Sequence, residues 1–208
     1  MKIENLHRLF RLNSILIFCY LVILFLLVFV VDFRLNLIEI PGAMYLESKS
    51  LFPVQAFNSI TVTILVGTFL LILNIPAVFN IIKTFLENKD VDYFYDLRKR
   101  HIFIYYYGYG ILHPHRIWWQ IKEKTLMFKI AAIFFYFYMI FILLHWMFGW
   151  TFVDIPPPHT LVVLISKFKA ILYLLNVVIF CSTSFLLLSV ISGIFLIIYS
   201  FIDIDEEF

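Results

Sequence analysis

The stretch of this chain richest in reactive side chains is HPHRIWWQIKEK, residues 113–124, which sets His113, His115 and Arg116 beside Trp118 and Trp119. Two kinds of chemistry are open to it: the histidines and the arginine could hold the phosphate of a lipid headgroup, or the two histidines could bind a metal. The metal reading is weak on spacing. Residues two apart on a helix point to nearly opposite sides, and a zinc site needs further Cys, His or carboxylate ligands. His101 is the only close addition. Trp beside Lys and Arg is instead what a helix at a membrane surface carries. With Pro114 in its first turn, a position proline tolerates, such a helix groups Ile117, Trp118 and Ile121 on one face. Arg116, Gln120, Lys122, Glu123 and Lys124 can then face water. The expectation is a membrane-interface anchor made of His113, His115, Arg116, Trp118, Trp119, Lys122 and Lys124, with a lipid-phosphate site as the lesser reading.

Other reactive residues carry less. Asp90 and Asp92 form an Asp-x-Asp pair like the metal site of sugar transferases, but NKDVDYFYDLRKRH mixes acids and bases and reads as a solvated helical connection. Cys19 and Cys181 lie in apolar runs without metal-ligand spacing, and read as small buried hydrophobes. His145 would need a second histidine at similar depth to hold a haem. His159, in the PPPH loop, does not obviously provide it, so His145 reads as a helix-packing residue. No nucleophile, base and orienting group fall together. No catalytic residue, metal or cofactor is therefore expected, and a net charge of +2 is too small to suggest a nucleic-acid partner.

The elements that position these residues are written in the composition. The chain is 63% hydrophobic and 14% charged, where soluble domains run near half apolar and about a quarter charged. The apolar residues fall into long blocks, which points to lipid. Four spans are expected, at about 14–31, 59–82, 126–150 and 170–202. The first has no small-x-small cleavage site after it and reads as an uncleaved span, with Asn13 or Ser14 as its N-cap. The second contains Pro76, which should kink it and free a carbonyl one turn earlier. The last covers 33 residues from Ala170 to Ile202, or roughly 50 Å of helix, against a bilayer core of about 30 Å. A break would fall near Cys181-Ser182-Thr183-Ser184, where no Gly or Pro supplies a turn, so one over-long helix is favoured.

The fold expected is thus all-α: a polytopic membrane protein of one integral domain, residues 1–208, with four transmembrane helices. It has an inside loop at 83–125, carrying an interfacial segment before the third helix, and outside loops at 32–58 and 151–169. Within the first outside loop, RLNLIEIPGAMYLES suggests a short hairpin around Pro41-Gly42. In the second, Pro156-Pro157-Pro158 should stiffen the chain as polyproline II. The run IFIYYYGYGIL, residues 102–112, is too short to span and reads as interfacial, re-entrant or a strand. Twelve of the sixteen Lys and Arg residues lie before the first span or in 83–129. That bias predicts both termini on the cytoplasmic or matrix side, in a bacterial or mitochondrial inner membrane.

The spans carry a packing signal. Ser59, Thr63, Gly67 and Asn74 fall along one face of the second. Ser182, Ser189, Gly193 and Ser200 fall within about 40° of each other on the fourth, at 100° per residue. Small residues let helices approach closely in lipid, and Asn176 reads as interhelical glue. A channel is disfavoured by the lack of intramembrane charge. These features suggest a non-catalytic subunit of a larger inner-membrane complex, such as a secretion or conjugation machine or an organellar respiratory complex. Its partners would be other membrane subunits and the lipid bilayer. The alternatives are a stand-alone four-helix binding protein of bacteriocin-immunity layout, a likeness of architecture alone, and a lipid-modifying enzyme using His113, His115 and Arg116.

Overall fold

A computed structural model describes residues 3–88, 99–101, 114–147, 164 and 167–202. Among them the chain is helical, with no strand. The helices are α1 (Ile3–Phe29), α2 (Pro41–Lys49), α3 (Pro53–Asn88), α4 (Pro114–Lys122), α5 (Leu126–Met147), α6 (Lys169–Cys181) and α7 (Leu187–Ile202). A π-helical turn, Ser182–Leu186, joins α6 to α7. Among the described residues, four stretches are long and apolar enough to cross a membrane: Glu4–Phe29, Pro53–Glu87, Leu126–His145 and Lys169–Phe201. The expected run at 102–112, the Asp90/Asp92 pair, His113, residues 148–150, the PPPH loop with His159, and the acidic tail lie outside the described residues.

Four expectations are corrected. Asn13 and Ser14 do not cap a helix, because α1 already begins at Ile3. Leu6, Phe10 and Asn13, spaced four and three apart, form one buried face that carries the helix upstream of the apolar block. The segment at Pro41-Gly42 is not a hairpin but the start of α2, with Pro41 in the first turn, where its missing N–H is no loss. Cys19 is exposed on α1 rather than buried. The second helix overruns 59–82 at both ends, since Pro53 opens α3 and its polar first turns have work on the preceding loop.

The described residues fall into two compact units. One draws on Ile15–Leu70 and Ile142–Ser184. Here Gln55 Nε2 donates to the Asp32 carboxylate (2.6 Å) and the Val31 carbonyl (3.1 Å). Asn58 accepts from the Leu35 N–H (2.9 Å) and donates to the Phe33 carbonyl (2.9 Å). These bonds satisfy loop backbone that would otherwise be stranded. Arg34 lies over the Phe57 ring at 4.1 Å and pairs with Glu47 at 3.1 Å. Residues 32–52, with α2 inside them, thus form an ordered connection, shorter than the expected loop 32–58 because α3 begins at Pro53.

The other unit draws on Met1–Ser14, Leu71–Phe141 and Phe185–Phe208. Helix α4 packs on α7, and Phe79 meets Phe195 with ring centroids 4.0 Å apart. The Asn13 amide donates to Asn74 Oδ1 at 2.6 Å and accepts from Asn74 Nδ2 at 3.3 Å, both side chains being buried. Lys129 sits in the first turn of α5 with its side chain fully buried. Its Nζ donates to the Ser200 carbonyl at 2.8 Å and lies 5.6 Å from the Phe201 ring centroid.

The last span is one long helical stretch, as favoured, but its stripe does not run straight. A π turn adds a residue to the local winding, so the face downstream of Ser182–Leu186 is rotated by about 100° from that of a regular α-helix. Of the four expected stripe residues, Ser182 and Ser189 are half-exposed, and Gly193 and Ser200 are buried. Gly193 faces Tyr136: a Cβ at Gly193 would lie 2.6 Å from Tyr136 Cζ. Gly67 faces the π turn itself, and a Cβ there would meet Thr183 Cβ at 3.1 Å. Gly193→Ala must push aside the end of the half-exposed Tyr136 side chain, whereas Gly67→Ala presses on the Cβ of buried Thr183. Gly67→Ala is therefore expected to cost about 1–3 kcal/mol, the usual penalty of overpacking, and Gly193→Ala less. Detergent thermal unfolding of the two variants checks this, and the reverse order would contradict it.

Candidate functional site

Three features could carry function. The first is the helix-packing core. Asn176, fully buried in α6, donates through Nδ2 to Ser59 Oγ (3.1 Å) and to the Leu172 carbonyl (2.8 Å). Its Oδ1 lies 2.7 Å from the Thr63 hydroxyl, which also faces the Ser59 carbonyl at 2.7 Å and the Tyr20 hydroxyl at 2.8 Å. Thr63 has one proton to give. With Thr63 donating to Asn176 or Ser59, the Tyr20 phenol donates to Thr63. Tyr20 stacks on Phe180 at 4.1 Å. A continuous polar chain thus links α1, α3 and α6 in apolar surroundings. All four expected residues of the second span, Ser59, Thr63, Gly67 and Asn74, are buried, and Asn176 joins α6 to α3 through Ser59 and Thr63. Thr61 and Ser184 are also buried, with no hydrogen-bond partner for their hydroxyls among the described residues.

The second feature is the expected interface helix, α4. Trp118 and Ile121 are buried, Ile117 is half-buried, and Gln120 and Lys124 are exposed. That is the two-faced helix the sequence suggested. Trp118, at 3% exposure, packs into the protein itself. Lys124 Nζ lies 5.8 Å from the Phe128 ring centroid. His115, Arg116 and Trp119 belong to α4, but their side chains, like the whole of His113, lie outside the described residues. Ile117, Gln120, Ile121, Phe128, Phe135 and Tyr136 line an apolar groove of about 360 Å³ between α4 and α5.

The third feature is a basic cavity that sequence reasoning missed. His7, Arg8, Arg11 and Ser14 on α1 line it together with Arg100 and His101; it is open to the outside and has a volume of about 550 Å³. Positions 7, 8, 11 and 14 share one helix face. His7 Nδ1 and His101 Nε2 are 3.1 Å apart, one of them donating, and the Phe10 ring meets His101 edge-on at 5.5 Å. The Ser14 hydroxyl spends its proton on the Phe10 carbonyl (2.9 Å). Burial first, then the charges of His7, Arg11 and Arg100, hold the His101 imidazole below its ordinary value of 6.5. Two ring nitrogens are too few to hold a metal, and among the described residues no cluster of three or more His, Cys, Asp or Glu side chains exists.

A pH dependence follows. The unfolded chain takes up a proton at His101 near pH 6.5, while the folded chain resists it to lower pH. Stability from this group is therefore present above about 6.5 and lost as pH falls from there through the lowered folded value. Thermal unfolding across that range should show the loss, and His101→Gln should flatten it. An unchanged slope in the variant would contradict the assignment.

Comparison with protein-family models, with curated proteins and with solved structures finds no match. The reading of function therefore rests on this chain's own surfaces. One of them remains: the outer face of α5. Of the apolar window in Leu126–His145, 11% is buried, against 33%, 44% and 50% in the other three spans. Phe134, Phe137, Tyr138 and Phe141, spaced as one ridge of a helix, are 57% to 70% exposed. The Tyr138 hydroxyl has no hydrogen-bond partner among the described residues.

Proposed function

We propose that this chain is a non-catalytic subunit of a larger membrane assembly, and that α5 is where it meets its neighbour. The observation that carries this reading is Tyr138. In the apolar stretch Leu126–His145 it stands about 18 Å along the helix from one end and about 10 Å from the other, so a bilayer core of about 30 Å around that stretch would hold its phenol among hydrocarbon. A hydroxyl left without a partner in an apolar medium costs about 1–3 kcal/mol. A neighbouring helix with an acceptor at that depth removes the cost, while the flanking phenylalanines supply the close packing that holds helices together in lipid. The internal polar chain of Tyr20, Thr63, Asn176 and Ser59 spends its groups on the protein's own fold and leaves them none for chemistry.

The bias of Lys and Arg supports both termini on the cytoplasmic or matrix side, in a bacterial or mitochondrial inner membrane. Gentle detergent extraction from the native membrane, followed by a native gel and mass spectrometry of what co-migrates, tests the reading. A stoichiometric larger complex is expected, and its other members would name the assembly. A lone chain, or a simple dimer of it, would contradict the proposal.

A further inference from the structure

The basic cavity is a second surface, independent of α5. Arg8 and Arg11 project from one face of α1 into the space that His7 and His101 close. Among the described residues neither arginine has an ion-pair partner, and none of the six lining residues is acidic. Cations gathered this way repel one another; His101, lowered first by its burial, is lowered further by His7, Arg11 and Arg100. The arrangement becomes favourable when an anion enters.

The chemistry of the anion is legible in the donors. A guanidinium presents a planar fork that binds two oxygens at once. One arginine satisfies a carboxylate. Two arginines on one helix face, with Arg100 and two imidazoles lining the same space, suit a group with more oxygens at tetrahedral angles. The depth is informative too: Arg11 stands one turn before Ser14, where the unbroken apolar run of α1 begins, which is where the phosphates of a bilayer lie.

We infer that the cavity formed by His7, Arg8, Arg11, Arg100 and His101 is a binding site for a phosphate group, carried by an anionic lipid headgroup or by a free phosphate. Arg8 and Arg11 make the charge-assisted bonds, and the His7–His101 contact fixes the segment 99–101 against α1 so that Arg100 faces the same space.

The test uses the full chain in nanodiscs of phosphatidylcholine, with or without a minor fraction of phosphatidylglycerol, and compares it with the variants Arg8→Gln/Arg11→Gln and Lys49→Gln/Lys83→Gln. The second pair removes the same charge from exposed positions on α2 and α3 that do not line the cavity. Native mass spectrometry reads the phosphatidylglycerol retained, and thermal unfolding in phosphatidylcholine alone reads protection by inorganic phosphate. The expected result is retention at least about tenfold lower in the arginine variant, the factor one charge-assisted hydrogen bond supplies, with the lysine variant near wild type. Protection by inorganic phosphate that the arginine variant loses would also support the site, with a free phosphate as the source. Equal losses in both variants would reduce the effect to general surface charge and overturn the inference, as would retention or protection that survives Arg8→Gln/Arg11→Gln. A wild-type chain that neither retains phosphatidylglycerol nor responds to phosphate overturns it as well.

Discussion

Replacing Asn176 with leucine is expected to destabilise the folded chain by about 1 kcal/mol. The substitution removes one amide that bonds Ser59 and Thr63 across the α6–α3 contact, and each interhelical bond in a membrane protein contributes about 0.6 kcal/mol on average; the amide's bond to the Leu172 carbonyl lies within α6. Leucine is close in volume and more apolar, so insertion into the membrane should be unimpaired while folding suffers. Thr63 keeps the Ser59 carbonyl and Tyr20 as partners, which caps the loss. Unfolding in mixed detergent measures it. A variant as stable as the parent would mean that the polar chain through α1, α3 and α6 contributes nothing to holding them together.

The second large effect concerns Tyr138. If its hydroxyl met only hydrocarbon, Tyr138→Phe would relieve the cost of an unpaired group and leave the chain unchanged or slightly more stable. With a partner helix on α5, the same change should leave the isolated chain untouched and weaken the assembly by about three- to twentyfold, matching one intramembrane hydrogen bond of about 0.6–1.7 kcal/mol. Phe134→Ala/Phe141→Ala, which thins the ridge on both sides, should weaken it further, because close packing is the main attraction between helices in lipid. Quantitative co-purification of the wild type and both variants separates the two cases.

Much of the fold is legible in the chain because lipid imposes long apolar runs with few alternatives. The four helices, the continuity of the last one and the face of Ser59, Thr63 and Gly67 follow from run length and helical spacing. What escaped had local causes. The helix before Ser14 is polar enough to pass for a tail, and only the burial of Leu6, Phe10 and Asn13 shows that it continues α1. The stripe from Ser182 to Ser200 assumed a regular helix, and the π turn at Ser182–Leu186 redirects it. The basic cavity joins residues more than ninety positions apart, His7 and His101. No spacing rule brings them together, although the i, i+1, i+4 pattern of His7, Arg8 and Arg11 was a signal that a basic face existed. The cluster of reactive residues at 113–116 attracted attention by composition, whereas the cavity is built by tertiary contact.

The most direct measurement places a photo-crosslinking amino acid at position 138 in the native membrane and identifies what it captures. The subunit reading predicts a discrete adduct with one other membrane protein, lost when Phe134 and Phe141 are changed to alanine. Capture of lipid alone from position 138 would contradict it, and would leave α5 as a helix whose outer face meets only the bilayer.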